Sequence, residues 1–527
     1  MIPIIDVFAG PGGLGEGFSS YTDHNGKQAF EVALSVEKDI HAHSTLELRS
    51  FFRKFPRGKA PDEYYDYIRK KSLTSSPSAH KKLRIALFEK YSEEAYHASQ
   101  EAWHAELGNN KKLNLKLDKR IKEIIGSPDV KCWGMIGGPP CQAYSVIGRS
   151  RNKGISGYTA EKDKRSYLYR QYLRLIAQHK PDFFIMENVK GMLSAKLNGK
   201  SLFEKIIDDL KCPRKAVKGI GKISTLGYRI YPLVQNATNS TEPADFIVET
   251  EHYGIPQARH RVILIGIRNG FSTAIPSTLK KKQQPITVKE VLFNLPKLRS
   301  GLSREKKENN TYARWLEKIS GIMNLNWFKN GCDETLVESI NKTLDKISEK
   351  PQQQGSEYFP YSAKYFSDKN ISSWYLDKKL EGACNHTSRS HMVSDLHRYL
   401  YAASFTEKYG RSPLIEEFPD ELIPAHKNAR SGHFNDRFRV QIAEKPSATV
   451  TSHISKDGHY FIHYDPVQCR SLTVREAARL QTFPDNYFFE GSRTQQYIQV
   501  GNAVPPLLAI QIAEVVYELI KKSISEI

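Results

Sequence analysis

DVFAGPGGLGEGF, residues 6–18, is the stretch on which the fold turns. With the apolar residues before it, MIPIIDVFAG reads as a buried strand that runs into a glycine turn and then a helix. EVALSVEKD, residues 31–39, reads as a second strand ending in acids. Glycines 10, 12 and 15 satisfy GxGxxG, and Glu37 closes the following strand about twenty residues on. Glycines there let the backbone approach a ligand, and the acid accepts hydrogen bonds from ribose hydroxyls. That logic serves a dinucleotide and an adenosyl nucleoside equally, so a nicotinamide enzyme stays open at this point.

Outward from this unit the same rhythm recurs. From Cys132, CWGMIG reads as a strand, SYLYRQYLRLIAQH as an amphipathic helix and PDFFIM as a buried strand. A helix is predicted over 202–210, and strands over 228–234 and 262–267. Repeated strand–helix units imply a mostly parallel sheet with ligands at the strands' carboxyl ends. Two stretches break the rhythm. Residues 50–128 carry 17 Lys/Arg against 10 Asp/Glu with Ala-rich helical periodicity. They read as a helical insertion with a solvated face, contact with a DNA backbone being the alternative. Residues 271–465, rich in Lys, Ser, Asn and Tyr, read as a separate irregular domain. A helical pattern returns near Ser471, and AVPPLLAIQIAEVVYELIKK closes the sequence as a helix. The division is therefore 1–270, 271–465 and 466–527.

Composition narrows the class. The 527 residues suffice for two or three domains, and 39% hydrophobic content suits a folded soluble protein. No run of eighteen apolar residues appears, which argues against a membrane partner. Six scattered cysteines (132, 141, 212, 332, 384, 469) without a CxxC pair imply reduced thiols and a cytoplasmic setting. A formal net charge of +20 favours a polyanionic partner.

Four further blocks carry chemistry. In GGPPCQAYS (137–145), two glycines and two prolines present Cys141 rigidly at a sheet edge, where a thiolate is a strong nucleophile. In MENVKGM (186–192), Glu187 lies at a strand's carboxyl end on the same edge, placed to hold or deliver a proton. In YGIPQARHRVILIGIR, Arg259 and Arg261 alternate before a strand. Period two puts both on one face, where guanidinium forks suit carbonyl or phosphate oxygens. Finally, QVGNAVPPLLA (499–509) offers a Gly501-Asn502 turn against a bound ligand, following REAARLQTFPDNY (475–487).

Read in order, the blocks resemble the DNA cytosine-5 methyltransferase family. DVFAGPGG resembles its cofactor motif, GGPPCQAYS its Pro-Cys motif, ENV its Glu-Asn-Val motif, QARHR its Gln-x-Arg-x-Arg motif, and the last two blocks its final motifs. The resemblance implies a Rossmann-like S-adenosylmethionine-dependent α/β domain, with a mixed, mostly parallel sheet and helices on both faces, plus a smaller target-recognition domain over 271–465. It implies that Cys141 attacks carbon 6 of a flipped cytosine, that Glu187 engages ring nitrogen 3, and that Arg259 and Arg261 position the base and the active-site loop. It assigns the methyl donor, S-adenosylmethionine, to Phe8, Gly10, Gly12, Gly13, Glu37, Pro140, Leu168, Asn502 and Val504. The family's Asp-Ile pair at the adenine has no visible counterpart, because residues 50–128 fill that stretch, and Asp129 reads as a strand cap instead. Double-stranded DNA is the expected partner, bound by a monomer. The commonest setting is bacterial restriction–modification with any endonuclease encoded separately, at the nucleoid. RNA methylation and non-catalytic DNA binding are the rival readings. No metal is expected: Cys384, His386 and His391 have metal-like spacing but read as a surface cluster.

Overall fold

The computed structural model describes every residue except 109, 141–165, 198–199, 218–226, 236–241, 331–332, 351, 426–434 and 526–527. Cys141 therefore lies outside the described residues. Eight strands form the central sheet: β1 Ile2–Val7, β2 Phe30–Glu37, β3 Ala102–His104, β4 Gly134–Gly137, β5 Phe183–Val189, β6 Tyr228–Tyr231, β7 Ile247–Glu249 and β8 His260–Arg268. Their spatial order is β3-β2-β1-β4-β5-β8-β6, with β7 also pairing β8. The five strands from β3 to β5 are mutually parallel, and β8 runs antiparallel to β5, β6 and β7. The sheet is thus mixed and mostly parallel.

Period-two burial sorts the strand side chains onto two faces. Ile5, Val7, Val262 and Leu264 face one core, with helices α6 Lys111–Ile125, α7 Ser166–His179 and α8 Leu202–Lys211. Ile4, Ile263, Ile265 and Ile267 face the other, with α1 Gly13–Ser20 and the C-terminal helix α14 Pro506–Ser525. The segment Arg493–Ser523 is long and apolar enough to cross a membrane by length and composition. Its apolar residues, among them Leu508, Ile512, Val516 and Ile520, are buried in that second core. Gly17 permits this packing, since a Cβ there would stand 2.3 Å from the Ala509 methyl.

The stretch 50–128 needs correction. It holds not only helices α3 Asp62–Ser72, α4 Pro77–Lys90 and α5 Ser92–Glu101 but also the sheet's own β3 and its helix α6. A three-residue strand, Ala-Trp-His, is too short for alternation to show. Helix α2, Ile40–Arg53, joins this layer to the sheet: Arg53 pairs with Glu16 at 3.1 Å and also with Glu101. Asp182, not Asp129, caps the strand at 134–137, accepting from the Trp133 amide at 3.0 Å.

Residues 271–465 are more regular than their sequence implies. Helices α9 Tyr312–Ser320, α10 Glu334–Glu349 and α11 Val393–Tyr409 enclose a core with Trp315, Ile340 and Tyr399. Ser447–Ala448 nonetheless pairs with Gln257–Ala258, so the end of this stretch is built against the first 270 residues. Helices α12 Val474–Leu480 and α13 Arg493–Asn502 complete the chain before α14.

Candidate active site

The chain runs outward in both directions from the middle of the sheet, and a cleft opens between β1 and β4, the crevice where ligands bind in such sheets. It measures about 580 Å³. Its walls include Phe8, Gly10, Gly13, Glu37, Pro140, Leu168, Glu187, Arg259, Arg261, Asn502 and Val504. One cavity thus collects residues scattered over almost 500 positions of sequence.

At the end formed by the first two strands the glycine loop holds Phe8 at φ 59° and Gly12 at φ 94°, left-handed values that carry strain for a phenylalanine. Gly12 does not line the cleft. A Cβ there would meet Leu46 at 2.6 Å, so this glycine serves the turn. Gly13 is needed for close approach, since a Cβ would stand 2.2 Å from the Val504 carbonyl. The Glu37 carboxylate is held from three sides, by the amides of Gly10 (2.8 Å), Lys38 (2.9 Å) and Asp39 (2.7 Å). Four lone-pair sites leave it capacity for a hydroxyl. Beneath the loop, Asp6 is 1% exposed and neither of its oxygens has a hydrogen-bond partner among the described residues. Burial pushes its carboxyl up to about 8; Arg53 pulls the other way and Glu37 adds to the rise.

The other end gathers the reactive groups. Antiparallel pairing of β8 with β5 sets Arg261 opposite Val189 and Ile263 opposite Glu187, so QARHR enters the sheet where ENV leaves it. Arg261 Nε then meets Glu187 Oε1 at 3.0 Å, both side chains mostly buried. Burial lowers the Arg261 pKa and the Glu187 carboxylate opposes that shift. The Gly-Pro-Pro turn closes against the same acid: a Cβ on Gly138 would stand 3.0 Å from Glu187 Oε2. Asn188 Nδ2 donates to the Pro139 carbonyl at 3.1 Å, which fixes the chain one residue before Pro140.

The two arginines share the cleft but do different things. Arg259 is 2% exposed, and its guanidinium donates to the carbonyls of Val450 (2.8 Å) and Gly501 (3.2 Å). Burial, then the like charge of Arg261, holds its pKa well below the ordinary arginine range. It ties three segments together, whereas Arg261 faces the acid. Gly501 and Asn502 are not a turn before a helix; they end α13, and Ala503–Pro505 makes the bend.

Sequence reasoning missed part of the cleft. Val36, Lys38, Asp39, Ala42, Ala105 and Leu107 line it. The last two follow β3, the strand hidden in the presumed insertion. Thr451 and Ser452, from the stretch read as irregular, also line the cleft. The metal-like trio is not a surface cluster. Cys384, His386 and His391 are buried, with His386 bonded to Thr473 Oγ1 (2.9 Å) and the Pro296 carbonyl (3.0 Å) and His391 to Ser471 Oγ (3.2 Å). Among the described residues no group of three metal-binding side chains converges.

The sheet order, the acid closing the second strand and the glycine loop define a Rossmann-like domain of the methyltransferase class. The chain matches the family model for C-5 cytosine-specific DNA methylase over residues 83–518, and it belongs to that family. The Type II methyltransferase M.Bpa9945I of Bacillus paralicheniformis is 32% identical over 529 residues, covering 98% of this chain and 99% of that protein. The DNA (cytosine-5-)-methyltransferase M.ApeKI of Aeropyrum pernix is 26% identical over 436 residues, covering 76% and 84%. The Type II methyltransferase M.DdeI of Desulfomicrobium norvegicum is 25% identical over 393 residues, covering 72% and 71%.

Proposed function

We propose that the protein methylates carbon 5 of a cytosine flipped from duplex DNA, as the modification half of a bacterial type II restriction–modification system. The observation that carries this reading is the meeting of Glu187, Arg261 and the Gly138–Pro140 turn in one cleft with the Phe8–Gly13 loop and Glu37.

The donor site suits S-adenosylmethionine. Gly10 leaves open space beside the backbone, Glu37 keeps lone pairs for ribose hydroxyls, and Phe8, Gly13, Leu168, Pro140, Asn502 and Val504 would enclose the rest. When bound, that group supplies an electrophilic methyl. The protein's part is to make carbon 5 nucleophilic. Cys141, the residue after Pro140, forms a carbon–sulfur bond at carbon 6 of the ring. The displaced electron pair moves toward carbon 5, and Glu187 holds a proton at ring nitrogen 3 so that the ring does not carry the charge. Arg261 fixes the carboxylate and leaves donors for the base's carbonyl oxygen. After methylation, loss of the carbon 5 proton and departure of the thiolate restore the aromatic ring. Rotating the base out of the stack costs a few kcal/mol, which contacts to the surrounding strands must offset. We assign those contacts to residues 271–465 as the target-recognition domain, and the net charge of +20 suits the phosphate backbone.

The enzyme acts as a cytoplasmic monomer on DNA, with any endonuclease made as a separate chain. Incubation with tritiated S-adenosylmethionine and mixed-sequence duplex DNA tests the reading. Label enters duplex DNA, and bisulfite sequencing then finds it in one sequence context. Label entering transfer RNA in preference to DNA would replace this reading with RNA methylation. Tight DNA binding without any label would leave a DNA-binding regulator.

A further inference from the structure

Several buried guanidiniums of the C-terminal half answer a carboxylate: Arg479 with Asp485 at 2.7 Å, Arg470 with Glu476 at 2.6 Å, Arg398 with Asp395 at 2.7 Å. Arg389, 9% exposed, answers only neutral carbonyls, as Arg259 and Arg475 do. It donates to the carbonyls of Ile454 (2.7 Å), Ser455 (3.5 Å) and Lys456. Its guanidinium lies 4.9 Å from the Tyr497 ring centre, and its Nε has no partner among the described residues. Burying a cation against neutral acceptors is costly, so the arrangement calls for a reason.

The reason lies in what those carbonyls belong to. Residues 452–455 form a single 3₁₀ turn, and Thr451 and Ser452 at its start line the cleft with Glu187 and Arg261. Arg259 pins the beginning of this segment through the Val450 carbonyl, and Arg389 pins its end. Between them the segment lies flush on α13, where a Cβ on Gly501 would stand 2.2 Å from the Ser452 nitrogen. Tyr497, beneath Arg389, belongs to the same helix, whose last residue Asn502 faces the donor site.

We infer that Arg389 is a positioning residue for the methyl-transfer cleft: it holds the wall 450–456 against α13 so that Thr451 and Ser452 are in place for the DNA strand. The inference rests on the DNA methyltransferase reading above. A planar fork of five donors reaches several carbonyls at once, and a lysine in its place would reach one. A wall that touches substrate before and during reaction governs binding more than turnover, so KM is the quantity to watch.

The test uses the full chain and mixed-sequence duplex DNA. In Arg389→Lys, KM for DNA rises about tenfold while kcat stays within about twofold, and Arg389→Met raises KM further. Amide hydrogen exchange over 452–456 rises in both variants, while that of β1 and β5 is unchanged. Should Arg389→Met fail to fold, Arg389→Lys decides alone. Unchanged KM and unchanged exchange would overturn the inference, as would a fall in kcat with KM intact. If the parent chain transfers no methyl at all, the functional reading fails instead, and exchange over 452–456 in Arg389→Lys still decides whether the clamp exists.

Discussion

The cleft has two walls of different origin. One is formed by strand ends and the turns that follow them: Phe8–Gly13, Glu37, Gly138–Pro140, Glu187 and Arg261. The other is the segment 450–456, irregular in sequence and held by Arg259 and Arg389 through backbone carbonyls. The first wall is built from side chains that chemistry restricts to one or two types. The second presents Thr451 and Ser452, and its shape comes from guanidiniums elsewhere in the chain. Chemistry is concentrated in the first wall and placement in the second.

Replacing each motif arginine tests this division. Arg261→Lys removes the Nε–H that meets Glu187, and kcat/KM falls about a hundredfold with the melting temperature unchanged. Arg259→Lys leaves the Val450 or the Gly501 carbonyl without its donor in a buried site. Denaturant unfolding then shows a loss of about 2 kcal/mol. Equal stability losses in the two variants would erase the distinction between the walls.

A pH-dependent effect distinguishes the floor beneath both. The buried Asp6 carboxyl, pushed up to about 8, binds a proton in the folded protein that the unfolded chain releases near 4. Its contribution to stability is therefore present below the unfolded pKa and is lost as pH rises through the folded one. Asp6→Asn lacks that slope, so its melting temperature gains on the parent from pH 5 to pH 8. A gap that stays constant over this range would show that Asp6 titrates normally.

The same contrast explains what could be read without coordinates. GxGxxG, the Pro-Cys turn, ENV and QARHR are local patterns whose residue types are tied to chemistry. Of their residues within the described structure, Gly10, Gly13, Gly138, Pro139, Pro140, Arg259, Arg261 and all three of ENV line the cleft, whereas Gly12, Gly15, Gly137, Gln257, Ala258 and His260 do not. The strand at 102–104 was hidden because three residues show no alternation beside long basic helices. With it went Ala105 and Leu107, which line the cleft just after that strand. The role of Arg259 was not legible because its acceptors lie 191 and 242 positions further along the chain. The metal-like trio misled in the opposite way: its spacing was local, but each side chain already had a buried place in the fold.

The central claim is a bond between the Cys141 sulfur and carbon 6 of cytosine, and a fluorine at carbon 5 makes that bond visible. Fluorine replaces the proton whose loss releases the enzyme, so with S-adenosylmethionine present a duplex carrying 5-fluorocytosine at the target stays attached. The account predicts a denaturation-resistant protein–DNA adduct, mapped by mass spectrometry to Cys141 and absent in Cys141→Ser. An adduct that persists in Cys141→Ser, or active enzyme that forms none, would contradict it.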